Sequence, residues 1–237
     1  MTPRASTHQH DAAVAALQTR AGAYFLFARL FREAPSAALL QEIVHEQLLT
    51  CAEQCGAGCN GLSLDPAEDA TWPQQVEAIA VEYARLFAVP GEQAVHPYES
   101  VYCDPLTIDA STACSAYFEP EPQPEGLTGF LYGPSTRSVS EVYQRAGFEL
   151  NPSLHELPDH LAIELEFMGQ LLARGAQDQA RNFFTQHLGR WVFHCLDEIR
   201  QETQPTGFYR TVADALVAFL EHDQDGRSPA TIPGGDR

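Results

Sequence analysis

The chain has 237 residues, 44% of them hydrophobic, and a formal net charge of −18. That length builds one large domain or two small ones around a sizeable core. The acidic balance argues against nucleic acid, whose binding rests on Lys and Arg contacts to phosphates, and against anionic membrane surfaces. No run approaches the ~18 consecutive apolar residues of a membrane span, so no membrane insertion is expected. The start MTPRASTHQHDAAVAAL lacks the charged and apolar regions of a secretory signal, and no Arg-Arg pair occurs anywhere. These features predict a cytoplasmic protein whose six Cys are thiols.

Residues 1–10 read as a disordered tail. From Asp11 to Glu33, Val14, Leu17, Ala21, Tyr24, Phe25, Ala28 and Phe31 recur at three- and four-residue steps, the pattern of a long amphipathic helix. Pro35 ends it, and Ser36 caps a second helix to about Thr50, with Leu39, Leu40, Ile43 and Val44 inward. Cys51, Cys55 and Cys59 follow in a Gly-rich stretch whose spacing matches no strong zinc pattern. They read as reduced thiols on a surface loop, and a redox-sensitive disulfide suits them better than a metal. Pro73 opens a third helix with Val76, Ile79, Ala80, Tyr83, Leu86 and Phe87 buried, and Val89-Pro90-Gly91 stops it.

In the run HPYESVY, Pro97 forces His96 out of helical geometry. Composition alone makes this a loop packed on the core by Tyr98, Val101 and Tyr102. A long loop spans 103–136, with Glu and Pro alternating from Phe118 to Gly126. A helix from about Arg137 to Ala146 is stopped by Gly147. Gln177 to Glu202 reads as one helix carrying the stripe Phe184, Leu188, Trp191, Val192, Cys195, Leu196 and Ile199. After a break at Thr206-Gly207, Tyr209 to His222 forms the last helix, with Val212, Leu216, Phe219 and Leu220 inward, and 223–237 is a disordered tail. No alternating run predicts a strand. The fold class is all-α, a globular bundle of about seven to nine helices in a single domain over 11–222.

The informative stretch is HELPDHLAIELEFMGQLL, His155 to Leu172. It reads as a helix with Pro158 as its first residue and Asp159 in its first turn. On a helical wheel Leu161, Ile163, Leu165, Phe167, Met168, Leu171 and Leu172 fill one broad arc that also holds His160 and Glu164, one turn apart. Asp159, Ala162, Glu166, Gly169 and Gln170 fall on the water side. A polar pair inside an apolar arc needs partners, because an unpaired buried polar group costs about 1–3 kcal/mol. Three readings stay open: a structural His160–Glu164 pair, a pair facing a ligand, or half of a metal site that His-x-x-x-Glu alone cannot complete. The chain has no phosphate loop, no G-x-S-x-G elbow and no H-E-x-x-H. His187 and His194 read as packed or exposed helix histidines. No catalytic residue, cofactor or metal is expected.

Three ordered motifs carry a resemblance: the run Pro97-Tyr98-Glu99-Ser100-Val101-Tyr102, the run Glu156-x-Pro158-Asp159-His160 followed by ELEFM, and the Phe183-Phe184…His187-Leu188…Trp191 helix. Together they resemble the TorD/DmsD/NarJ family of molybdoenzyme maturation chaperones, over about residues 11–222 with a gap near 105–130. The resemblance implies an all-helical, non-enzymatic protein that binds the apo catalytic subunit of a molybdenum oxidoreductase, often at its twin-arginine leader peptide. It further implies help with inserting bis(molybdopterin guanine dinucleotide) before export. The implied partner-binding residues are Tyr98, Glu99, Ser100, Tyr102, Glu156, Pro158, Asp159 and His160, with Leu157 walling the groove. Glu164 joins them from the helical wheel. By the same wheel Asp159 points outward, for helix capping or an Arg contact, and His160 points into the groove. Two other readings remain: a regulatory protein of a folded partner, and a helical metal-dependent enzyme using His160 and Glu164. A monomer and a domain-swapped dimer both fit.

Overall fold

The apolar stripe of the first helix packs on the last helix through aromatic rings. The computed structural model describes residues 19–45, 72–104, 133–151 and 156–225. Helix α1 (19–32) meets α9 (Phe208–Asp225) where Tyr24 and Phe27 flank Phe219, with ring centroids 4.9 and 5.7 Å apart. Such pairs add to the gain from burying the ring surface. Polar groups seal the contact: Tyr24 Oη donates to Asp223 at 2.9 Å, Arg20 pairs with Asp223 at 2.6 Å, and Tyr209 Oη donates to the Leu30 carbonyl at 3.0 Å. Asp223, expected in the tail, is therefore buried, and the last helix runs three residues beyond His222.

After the turn at Pro35, the Ser36 hydroxyl accepts from the Leu39 N–H at 3.2 Å and starts α2 (Ala37–His45), as expected. Leu39, Leu40 and Ile43 are buried. The expectations for 1–18, for Val44, for Cys51, Cys55 and Cys59, for the Glu-Pro stretch within 105–132 and for 226–237 fall outside the described residues. Helix α3 (Trp72–Tyr83) runs into a π turn, Ala84–Ala88, that ends at Val89. Of its expected inner face only Ile79 and Leu86 are fully buried; Val76, Tyr83 and Phe87 pack at its edge. A short helix, α4 (Glu99–Cys103), stands where a loop was expected, and α5 (Pro134–Arg145) begins three residues before Arg137. Asp104 explains that early start. Its carboxylate accepts from the Ser135 N–H at 3.0 Å and the Ser135 hydroxyl at 2.6 Å, capping α5 and joining the two ends of the long connection. Gly147, at φ 76°, terminates the turn after α5 as predicted.

Helix α6 (Leu161–Ala173) is the centre of the bundle, with ten of its thirteen residues buried. Ala162 and Gly169, expected to face water, point into protein because neighbouring helices cover that side. At Gly169 an added Cβ would sit 2.7 Å from the Phe25 ring, so α1 crosses close above it. On the opposite side Phe167 lies 4.5 Å from Tyr143 of α5 and 4.7 Å from Phe183 of α7 (Gln177–Gln186). Only Glu166 and Gln170 keep the partial exposure the wheel assigned them.

The expected single helix over 177–202 is three pieces: α7, a 3-10 turn (Leu188–Arg190) and α8 (Val192–Glu202). Its predicted apolar stripe is nonetheless buried throughout. The break sits at His187, with φ −128° and ψ −95°, and at Gly189, where a Cβ would fall 2.4 Å from the Phe184 ring and 2.8 Å from its carbonyl oxygen. Among the described residues there are nine α-helices, no strand beyond one isolated bridge, and no helix long and apolar enough to cross a membrane. The all-α expectation holds. Gly189→Ala is expected to destabilise the chain by about 1–3 kcal/mol, because both the buried Phe184 ring and its backbone carbonyl must yield. A urea midpoint equal to that of the unmodified chain would contradict this.

Candidate functional site

The two signature runs, far apart in sequence, are stitched to one another. The Glu99 N–H donates to the Asp159 carbonyl at 2.9 Å, and the Leu161 N–H donates to the Pro97 carbonyl at 2.8 Å. These bonds form an antiparallel bridge between Tyr98 and His160. Both residues are extended, and each is the N-cap of the helix that follows it, α4 and α6. This corrects the expected helix start: Pro158 and Asp159 lie in a turn, and α6 begins at Leu161 because the backbone before it is committed to the bridge.

Asp159 does not point outward. It is fully buried, and its carboxylate accepts from the Ser100 N–H at 3.0 Å in the first turn of α4. It is a cap, as one expectation had it, but for a different helix. Negative charge there is favoured by the partial positive charge of a helix N-terminus. His160 caps its own helix, with Nδ1 accepting from the Ala162 N–H at 3.1 Å and the ring edge-on to Tyr98 at 5.0 Å. Burial lowers the His160 imidazole to about 4, against the opposing pull of Glu156 and Asp159. The ring is thus neutral at neutral pH, as its acceptor role requires.

The expected His160–Glu164 meeting is replaced by other partners. Glu164 is fully buried, and its Oε2 accepts from Trp191 Nε1 at 3.2 Å. Glu99, also fully buried, has Oε2 3.0 Å from His187 Nδ1 and Oε1 3.7 Å from the half-exposed Arg190. Ser100 is buried in the first turn of α4. The expectation that Tyr98, Val101 and Tyr102 pack this run on the core holds for Tyr102, while the residues fully buried are Glu99 and Ser100. Its acid and hydroxyl go in, while the three larger side chains stay at the edge. Tyr102 stacks on Trp191 at 5.5 Å and donates to Glu198 at 2.6 Å.

At the outer edge of the bridge Tyr98, Glu156, Leu157 and Pro158 are only partly buried. Glu156 Oε1 accepts from Tyr98 Oη at 2.8 Å and from the Leu157 N–H at 3.0 Å, and Tyr143 Oη donates to the Pro158 carbonyl at 2.9 Å. Burial, reinforced by Glu156, raises the Tyr98 phenol above its ordinary range, so it remains a donor. Tyr143 also lines a neighbouring cleft of about 390 Å³, walled by Phe148, Leu150, Ile163 and Phe167, with Arg32, Glu149, Glu166 and Arg174 among its charged groups. Arg32 pairs with Glu166, and the Arg174 guanidinium lies 3.8 Å over the Phe148 ring.

Sequence reasoning missed His187, Trp191 and Arg190, which close the site from below. The available signal was the Phe-Phe…His-Leu…Trp motif: two of its members are the side chains that reach the buried acids. Among the described residues no three His, Cys, Asp or Glu side chains are grouped to hold a metal ion.

A family model described as nitrate reductase delta subunit matches residues 44–197, a span that contains all three motifs. The chain belongs to this family, the TorD/NarJ group. Among its relatives are proteins named chaperone protein TorD: one of Shewanella sp. (strain MR-4) is 23% identical over 158 residues, covering 66% of each chain. Another, of Psychrobacter sp. (strain PRwf-1), is 24% identical over 230 residues, covering 89% of this chain and 92% of the relative. The chain thus spans slightly under two thirds of the Shewanella relative's length. A crystal structure of a candidate redox enzyme maturation protein from Archaeoglobus fulgidus shares the fold, with a TM-score of 0.52 and 22% identity over 85% of this chain and 93% of the other.

The depressed His160 value sets an acid limit. An unfolded His takes up its proton near 6.5 and the folded one near 4, so stability is full above the first value and falls as pH drops towards the second. His160→Asn keeps a capping acceptor and removes the titration. Relative to this variant, the unmodified chain is expected to lose stability on the order of 3 kcal/mol across that window. Parallel urea midpoints against pH would contradict it.

Proposed function

We propose that the chain is a cytoplasmic chaperone for the catalytic subunit of a molybdenum oxidoreductase. It would bind the apo subunit or its Arg-Arg leader and assist insertion of bis(molybdopterin guanine dinucleotide) before export. The observation that carries this reading is the bridge between the two signature runs, whose half-exposed edge lies beside a cleft lined by both apolar and charged side chains. An Arg pair followed by an apolar stretch has two needs, carboxylates and apolar walls. Glu156 and Glu149 offer the first by charge-assisted hydrogen bonding. Leu157, Pro158, Phe148 and Phe167 offer the second. The names of the relatives and the family membership support the same class of function.

Burial divides the ten candidate residues by role on this reading. Tyr98, Tyr102, Glu156, Leu157 and Pro158 can be reached by a partner. Glu99, Ser100, Asp159, His160 and Glu164 are buried and act by holding those five in place.

Affinity capture with the tagged full chain from cells respiring anaerobically tests the proposal. The unmodified chain is expected to retain a cofactor-poor molybdoenzyme subunit still bearing its leader. The double variant Glu156→Lys, Leu157→Asp is expected to retain at least about tenfold less with an unchanged thermal midpoint, a loss of about 1.4 kcal/mol or more. Equal recovery by both proteins would remove this face from the interaction. Capture of mature, folded partners alone would favour the regulatory reading.

A further inference from the structure

The acid pair beneath the bridge has an unresolved hydrogen-bond count. Glu99 and Glu164 are both fully buried. One oxygen of each is engaged, Glu99 Oε2 with His187 and Glu164 Oε2 with Trp191. The other oxygen of each, Oε1, has no hydrogen-bond partner among the described residues. The Glu99 carboxyl is near enough to act on Glu164 both by its charge and as a hydrogen-bond partner, each raising the Glu164 carboxyl. Two ionised carboxylates hold only acceptors, so such a contact repels. One proton converts it into an O–H···O⁻ bond, among the stronger hydrogen bonds, and satisfies both oxygens together.

We propose that Glu164 is a positioning residue that stays protonated in the folded chain and donates to Oε1 of Glu99, clamping α4 against α6. The surroundings decide which acid keeps the proton. Glu99 faces the guanidinium of Arg190 at 3.7 Å and the imidazole of His187 at 3.0 Å, both of which favour its charge. Glu164 has only the neutral indole of Trp191. The other titratable groups facing the pair bring no positive charge: Cys103 on α4, Asp159 in the turn, and Tyr143 on α5. Burial, then the charges of Glu99 and Asp159, push the Glu164 carboxyl well above the usual range, in agreement with the geometry. The clamp matters for the proposed face because the N-caps of α4 and α6, Tyr98 and His160, are the two residues of the bridge. That consequence rests on the reading above; the shared proton does not.

The test uses the full chain with Glu164→Gln and Glu164→Ala. An amide can donate to Glu99 while its oxygen still accepts from Trp191, so Glu164→Gln is expected to fold as the unmodified chain does. Infrared spectra at neutral pH should show a protonated-carboxyl stretch that Glu164→Gln lacks. The sign of the linkage is fixed: a folded acid raised above its unfolded value makes folding strongest below the unfolded value and weaker as pH rises towards the folded one. Relative to Glu164→Gln, the folding constant of the unmodified chain should therefore fall by about tenfold per pH unit above the ordinary carboxylate range, since every other titration is shared by the two proteins. Absence of the infrared band, or parallel pH dependences, overturns the shared proton whatever the capture experiment gives. In that experiment Glu164→Gln should recover the client as the unmodified chain does, and Glu164→Ala about tenfold less. A band that depends on Glu164 together with capture indifferent to Glu164→Ala overturns the positioning role and leaves the proton standing.

Discussion

A carboxylate drawn out of water needs donors, and three of them in this bundle, the buried Asp159 and Asp104 and the half-buried Glu82, find them among the unpaired N–H groups of helix starts. Asp159 caps α4 through Ser100, Asp104 caps α5 through Ser135, and Glu82 accepts from the Phe208 N–H at 3.0 Å where α9 begins. The first N–H groups of a helix have no partner within it, and they carry its partial positive end. Each cap comes from a separate segment rather than from the residue before the helix, so it secures a helix start and a tertiary contact at once. A good cap contributes about 0.5–2 kcal/mol. In a chain with a net charge of −18, part of the acidity is internal bracing.

The same logic divides the Glu-x-Pro-Asp-His run by depth. Glu156 remains at the surface, held by Tyr98. Asp159 goes inward to α4. His160 turns its ring onto its own helix start. Three neighbouring polar residues thus serve three elements, which explains why the turn at Pro158 replaces a helical start. A regular helix would hold the three, at i, i+3 and i+4, within one arc of about 100°, and they could not then reach α4, the Tyr98 ring and solvent together. The partly exposed residues then stand on a frame whose backbone and side-chain hydrogen bonds run to α4, α5 and α6. A binding surface is best carried on such a frame, since rotamers locked beforehand cost less to order when a partner arrives.

Much of the fold was legible in the sequence, and the failures have a common cause. Periodicity found the inner faces of α8 and α9, because one side of each meets water and the 3.6-residue pattern survives, but on α1 it missed Ala23, Leu26, Phe27 and Leu30, which are buried as well. It failed on α6, where Ala162 and Gly169 are small because helices pack on that side as well, not because water does. It also ran α7 and α8 together: the apolar stripe continues across the break, while the reason for the break lies in long-range contacts of His187 and Trp191 with two acids. At the candidate site the motifs picked out two segments that pair with one another, but not which of their residues point inward. Glu99, Ser100 and Asp159 are polar, and polarity predicts exposure unless the donors that await them are known. Those donors are a helix start and an imidazole supplied by distant parts of the chain, which no local pattern contains.

That dependence bears on where the molecule can tolerate change. The 3-10 turn exists to bring His187 under Glu99 and Trp191 under Glu164, and Gly189 lets it pass Phe184 closely enough to do so. Tyr102, stacked on Trp191 and bonded to Glu198, closes the same group from α4. The signature face and the C-terminal half of the bundle are therefore one mechanical unit, although nothing in α8 reaches the bridge directly. On the proposed function, a partner bound at Tyr98 and Glu156 would press on α4 and α6, and those helices rest on acids held at the two ends of the 3-10 turn. Affinity for a client should then respond to substitutions at His187 or Trp191 that never touch it, whereas changes in α2 or at the outer end of α3, which hold none of these donors, should leave it alone.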